Sequence, residues 1–231
     1  MGLMVDRYPL LYRLWWRYSP KSKAITDDFI VHNNTDIVIE GFPRSGNSFA
    51  YAAFLLANGH NFVVSHHVHR PSQIILAAER RIPTLVIIRP PIDAVVSLVI
   101  FRPFLSVKQA LRSYIDFYGR IKPWRDNFLL TTFGDVTRDF GAVLDELNNK
   151  FNTSFSEFHH TAENVEKCFA MVEQFSNQFA GHHDERLVAR PSRKREDLKS
   201  ELKQELADSR LRHLIEQAET LYAWYAQNSG K

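Results

Sequence analysis

A single cysteine, Cys168, in a chain of 231 residues excludes an internal disulfide and leaves no thiolate cluster for zinc, so a reducing, cytoplasmic setting is the plain expectation. Long hydrophobic runs are missing too. No stretch is apolar enough to span a bilayer, and the first residues lack the small-residue cleavage pattern of a secretory signal, which together point to a soluble protein. Charge of one sign is scarce: Lys and Arg exceed Asp and Glu by 29 to 26, a formal balance of +3 that does not imply a nucleic-acid partner. There is no repeat, low-complexity linker or compositional break, so residues 1–231 read as a single domain. With 45% hydrophobic and 24% charged residues, that domain can bury a sizeable core. The aromatic and basic residues of 1–30, densest in Tyr8-Pro-Leu-Leu-Tyr-Arg-Leu-Trp-Trp-Arg-Tyr18, mix as they do in interfacial helices. They would serve either peripheral membrane contact or packing against the domain or a subunit.

What the chain does contain is a glycine loop with phosphate-loop spacing, Gly41-Phe42-Pro43-Arg44-Ser45-Gly46-Asn47-Ser48. The β-branched run Asp36 to Glu40 precedes it and the helix-forming run Phe49 to Ala57 follows, giving strand, loop, helix. Backbone N–H groups at such a helix start favour an anion through hydrogen bonding and the helix dipole. In the triphosphatase form of this loop, G-x-x-x-x-G-K-[ST], the Lys reaches the β- and γ-phosphates. Asn47 stands in that position here, so a nucleotide with a shorter phosphate group is expected, with Arg44 as the loop's cation. A glycine turn that only joins two elements is the bland alternative.

Short apolar runs at Asn61–Ser65, Thr84–Ile88 and Phe128–Phe133 read as further strands, with helices over Pro71–Arg81, Ile92–Phe101, Ser106–Tyr118 and Val136–Lys150. Alternation of this kind predicts an α/β fold, a three-layer sandwich about a central parallel sheet. From 157 to 231 the strands stop and the chain reads as helical, with a charged amphipathic stretch from Glu196 to Ala226. Ligands of such sheets sit at the carboxyl ends of the strands, where every motif here falls.

A second constellation is Arg89 at the end of the Thr84–Ile88 strand, then Pro91 and a helix carrying Ser97. A strand-end arginine can pair bidentately with phosphate, and a helical hydroxyl nearby adds a neutral donor. A salt-bridge arginine and a small packing serine are the ordinary uses of the same residues. Taken together, the two motifs resemble the sulfotransferases that use 3′-phosphoadenosine 5′-phosphosulfate (PAPS) and release adenosine 3′,5′-bisphosphate (PAP). Pro43-Arg44-Ser45-Gly46-Asn47-Ser48-Phe49 stands where that family has a loop similar to P-K-S-G-T-T-W. Arg89 with Ser97, eight residues on, stands where the family has its strand-end arginine and helical serine. Phe133 in Phe133-Gly134-Asp135-Val136 is a weaker echo of an aromatic residue near the adenine.

The resemblance implies sulfuryl transfer from PAPS to a hydroxyl or amine acceptor without a metal. Loop N–H groups and Ser48 would hold the 5′-phosphate, Arg44 and Ser48 would stabilise the leaving side, and Arg89 and Ser97 would bind the 3′-phosphate. A histidine after the second strand would accept the acceptor's proton. In Ser65-His66-His67-Val68-His69, His67 matches the family's offset from Arg89 and His66 its local context, so both remain candidates for that base. No acidic or cysteine partner accompanies the histidines, which argues against zinc. Two features depart from the cytosolic family members. Arg44 replaces the loop lysine, as in carbohydrate sulfotransferases, which tilts the acceptor toward a glycan or lipid-linked group. The late segment that closes over the 3′-phosphate is echoed only by Arg190, Arg193 and Lys194 in a basic run without glycine, which can equally be the solvated start of the last helix. Two rival readings remain, a P-loop nucleotide kinase or hydrolase and a catalytically silent nucleotide-binding module.

Overall fold

The computed structural model describes residues 29–180 and 193–228. Four strands, β1 (Ile37–Gly41), β2 (Val64–His66), β3 (Thr84–Ile88) and β4 (Leu129–Thr132), form one parallel sheet in the order β2-β1-β3-β4. Each of the four falls on an apolar run of the sequence, although β2 begins three residues later than the run that announced it. Crossing helices are α1 (Asn47–Asn58), α2 (Pro71–Glu79), α3 (Pro91–Phe101) and α4 (Val107–Ile121). After β4 come α5 (Phe133–Arg138), α6 (Phe140–Phe151), α7 (Ala162–Ala180), α8 (Arg193–Leu206) and α9 (Arg212–Gln227).

The sheet is buried on both faces because successive strand residues point to opposite sides. Leu85 and Ile87 of β3 pack with Ile37, Ile39, Phe54 and the α6 residues Leu144 and Leu147 on one side. Val86 and Ile88 pack with Val95, Leu111, Tyr118 and Tyr225 on the other. These are the three layers of the expected α/β sandwich.

Two expected helices are broken by aspartates. The segment anticipated as one helix over Val136–Lys150 is divided at Asp139, whose carboxylate accepts from the Ala142 N–H at 3.2 Å and caps α6. The terminal stretch from Glu196 to Ala226 is likewise two helices, with Asp208 capping the short turn Ser209–Leu211 between them. Periodicity gave no sign of either break, because an N-cap inside an amphipathic run keeps the apolar spacing on both sides. Among the described residues, no helix is long and apolar enough to cross a membrane. Residues 1–28, which hold nearly all of the aromatic N-terminal segment, and Arg190 lie outside the described residues.

The strand order reverses between β1 and β3, one leading outward to β2 and the other to β4. A crevice is expected at the carboxyl ends of such a strand pair. In register, Gly41 at the end of β1 faces Ile87 of β3, so the glycine loop and Arg89 emerge side by side.

Candidate active site

The glycine loop is built by close approach. A Cβ on Gly41 would lie 2.4 Å from the carbonyl oxygen of Ile87 and 2.9 Å from the Asn47 side-chain oxygen, so only glycine lets β1 leave the sheet here. The Ser45 N–H donates to the Phe42 carbonyl at 3.2 Å, and Gly46, at φ 100°, turns the chain into α1. No side chain caps α1. Its first N–H groups therefore have no intrahelical partners and open into the loop. Asn47, in the triphosphatase lysine position, is 3% exposed and donates its amide to the Phe42 carbonyl at 3.1 Å. It staples the loop from inside, and only its backbone can face a phosphate. Phe49 also turns inward, against the rings of His160 and Phe169. Its ring, expected at the nucleotide, packs in the core against α7 instead. Pro43 is half-buried at the loop's outer bend.

The two sequence motifs meet. Arg89 donates from Nη1 to the carbonyl oxygen of Arg44 at 2.9 Å, and its guanidinium lies 4.3 Å over the ring of Phe133. Phe133 in turn underlies the glycine loop, where a Cβ on Gly46 would come within 3.1 Å of its ring. Arg44 donates from Nε to the Ser97 hydroxyl at 3.2 Å and lies 5.0 Å from the centre of the Phe101 ring. Thus Arg44 reaches across to the serine expected on the other phosphate, so the residues of the two sequence motifs form one connected group. Arg193 and Lys194 fall in the first turn of α8, and the placement of their side chains lies outside the described set.

The histidines separate into unlike environments. His67 presents Nε2 to the Ser48 hydroxyl at 2.9 Å, which puts it directly at the start of α1. His66 is 6% exposed, stacked on Tyr51 at 3.7 Å and against Phe29 at 4.3 Å, with its Nδ1 2.6 Å from Nδ1 of His67. His69 turns back to the Gly41 carbonyl, 2.9 Å from its Nδ1. Burial holds all three imidazoles neutral: His67 is lowered to about 4 and His69 to about 3, while His66 is driven well below its ordinary value by burial and then by its two histidine neighbours. Among the described residues, no group of His, Cys, Asp or Glu is arranged to hold a metal ion.

Three residues of this region were not singled out by sequence reasoning for what they do. Tyr118 donates to the Ile87 carbonyl at 2.8 Å and accepts the Phe42 N–H at 3.3 Å, bracing the strand end and the loop together. Tyr114 donates to the Arg89 carbonyl at 2.8 Å. As aromatics, both were legible only as core or as lining of an apolar pocket. Glu40, fully buried at the end of β1, accepts from the N–H groups of Val68 and His69, and its burial pushes the carboxyl up to about 8 against the pull of those donors. An acid inside a strand otherwise made of Ile, Val and Ile was the available signal.

No protein-family model matches the chain, and no curated protein matches it in sequence. Among solved structures, it is similar to mouse sulfotransferase SULT7A1 complexed with PAP, at 14% identity and a TM-score of 0.43, over 88% of this chain and 95% of that one. At that distance the functional reading rests on the residues described above.

Proposed function

We propose that this chain is a PAPS-dependent sulfotransferase acting on a hydroxyl or amine acceptor, of carbohydrate or lipid-linked type. The observation that carries the reading is the direct linkage of the two anion motifs, Arg89 to the Arg44 carbonyl and Arg44 to Ser97, on adjacent strand ends. Each of the two guanidinium groups also lies against an aromatic ring, Arg44 on Phe101 and Arg89 on Phe133, which holds it beside the glycine loop.

In this reading the N–H groups from Ser45 to Ser48 and the Ser48 hydroxyl hold the 5′-phosphate, while Arg89 and Ser97 hold the 3′-phosphate. The acceptor oxygen forms a bond to sulfur as the bond from sulfur to the bridging phosphate oxygen breaks, and the electron pair departs on that oxygen. Arg44 stabilises the charge growing there. Positioned donors of this kind are worth about 2.7–4 kcal/mol each. His67 receives the acceptor's proton at Nε2. With Ser48 donating to that nitrogen, the neutral ring carries its proton on Nδ1 and donates it to His66. A phosphate that takes the Ser48 hydrogen bond would release Nε2 for the acceptor, and its negative charge would raise the basicity of the ring.

The inward-turned Asn47 argues against a kinase, since the position that carries the triphosphatase lysine offers a γ-phosphate no charge. Isothermal titration with PAP, and separately with ATP and magnesium, is the first test. Binding of PAP alone is expected, and binding of ATP alone would overturn the reading. A labelled-sulfate donor assay across an acceptor panel then separates an enzyme from a silent nucleotide-binding module.

A further inference from the structure

We propose that Glu40 is a positioning residue for His67, a carboxyl that locks the loop after β2 onto the end of β1 and so fixes the histidine against Ser48. The inference rests on the sulfotransferase reading, but the geometry is independent of it. Glu40 Oε1 accepts the Val68 N–H at 2.6 Å and the His69 N–H at 3.2 Å, and Oε2 lies 3.1 Å from the same His69 nitrogen and 3.4 Å from that of Gly41. The His69 ring closes the group, with Nδ1 3.5 Å from Oε2 and 2.9 Å from the Gly41 carbonyl.

Two features make this more than packing. His67 and His69 both have positive φ, 58° and 54°, on either side of Val68. Left-handed backbone is unfavourable for a non-glycine residue, and it persists only where the surroundings over-determine it. Here the group that over-determines it is the Glu40 carboxyl, which binds the two N–H groups immediately following His67. Secondly, Glu40 belongs to the strand that continues into the glycine loop. One side chain therefore sets the spacing between Ser48 and His67 from the sheet, rather than leaving it to a free loop. A buried acid that served stability alone would be poorly chosen, since an apolar side chain would fill a strand interior at lower cost.

The test uses the full chain with Glu40→Leu, which fills the volume but accepts nothing, and Glu40→Gln, whose carbonyl can still accept from Val68 and His69. Should Glu40→Leu not fold, Glu40→Asp, one methylene short of those N–H groups, takes its place. Expected for Leu or Asp is a fall in kcat on the order of 10²-fold from a displaced base, with the Kd for PAP within about threefold of wild type. The ring titration of His67, followed by NMR, is expected to move back toward an ordinary imidazole, and Glu40→Gln is expected to restore both kcat and titration. Unchanged kcat and unchanged His67 titration in Glu40→Leu would overturn the proposal. So would losses of kcat and PAP affinity in equal proportion, which describe general unfolding. If the wild-type chain binds no PAP, the sulfotransferase reading fails, and the His67 titration still decides the role of Glu40.

Discussion

Two loops at the same edge of the sheet are held by opposite kinds of chemistry. The glycine loop and Arg89 are braced from α4 by the hydroxyls of Tyr118 and Tyr114, which burial pushes far above their ordinary range and which stay neutral at any working pH. The histidine loop is braced from β1 by Glu40, a group that titrates, and it carries two residues in left-handed backbone. The tyrosine brace behind the part that would hold phosphate is thus indifferent to pH, while the part that would move a proton is anchored by an ionisable group. On the proposed reading, binding and chemistry would then lean on different braces.

The sharpest way to break this contrast is to remove the histidine. His67→Ala is expected to lower kcat by roughly 10²–10⁴-fold, the usual worth of a general base, with PAP affinity little changed in titration calorimetry. Next in size, Arg44→Ala should lower kcat about 10²–10³-fold and affect Kd far less. Arg89→Ala should do the reverse, weakening PAP binding about ten- to a hundredfold through loss of a charge-assisted contact while leaving turnover of the bound donor nearly intact. Equal kinetics for both arginine variants and wild type would dissolve the division of labour.

Stability against pH sharpens the comparison further. The three histidines have folded values below the ordinary 6.5, so they bind protons only on unfolding, and the stability they favour is lost as pH falls from 6.5 toward 4. Glu40 has a folded value near 8, above its ordinary 4.5, so the folded chain holds a proton that the unfolded chain releases, and stability declines as pH rises through that window. The expected outcome is a Tm maximum near pH 6.5, with the decline toward pH 8 abolished in Glu40→Gln. The smallest effect belongs to the other brace. Tyr118→Phe should cost about 1 kcal/mol, a Tm loss of about 2–4 °C that does not vary between pH 5 and 8.

The sheet was legible because its strands are apolar runs bounded by turn residues, and both arginine-bearing motifs could be placed at strand ends for the same reason. His67 and His66 could not be told apart from sequence. Neighbouring residues on a strand point to opposite faces, but the positive φ at His67 breaks that alternation and is decided by contacts with Glu40, far away along the chain. The packing of Phe49 against Phe169 was not legible for a related reason, since its place in the motif says nothing of which neighbour α1 turns it toward.

By itself, then, the sequence determined the local pieces: where strands stop, where glycine must turn the chain, and which residue types can meet an anion or a proton. Tertiary structure alone decided that Arg44 reaches Ser97, that Asn47 turns inward, and that a carboxyl inside β1 anchors a loop 28 residues later. Backbone propensity acts over a few residues, whereas the direction of a side chain at a strand end is set by whichever neighbouring element fills the space beside it.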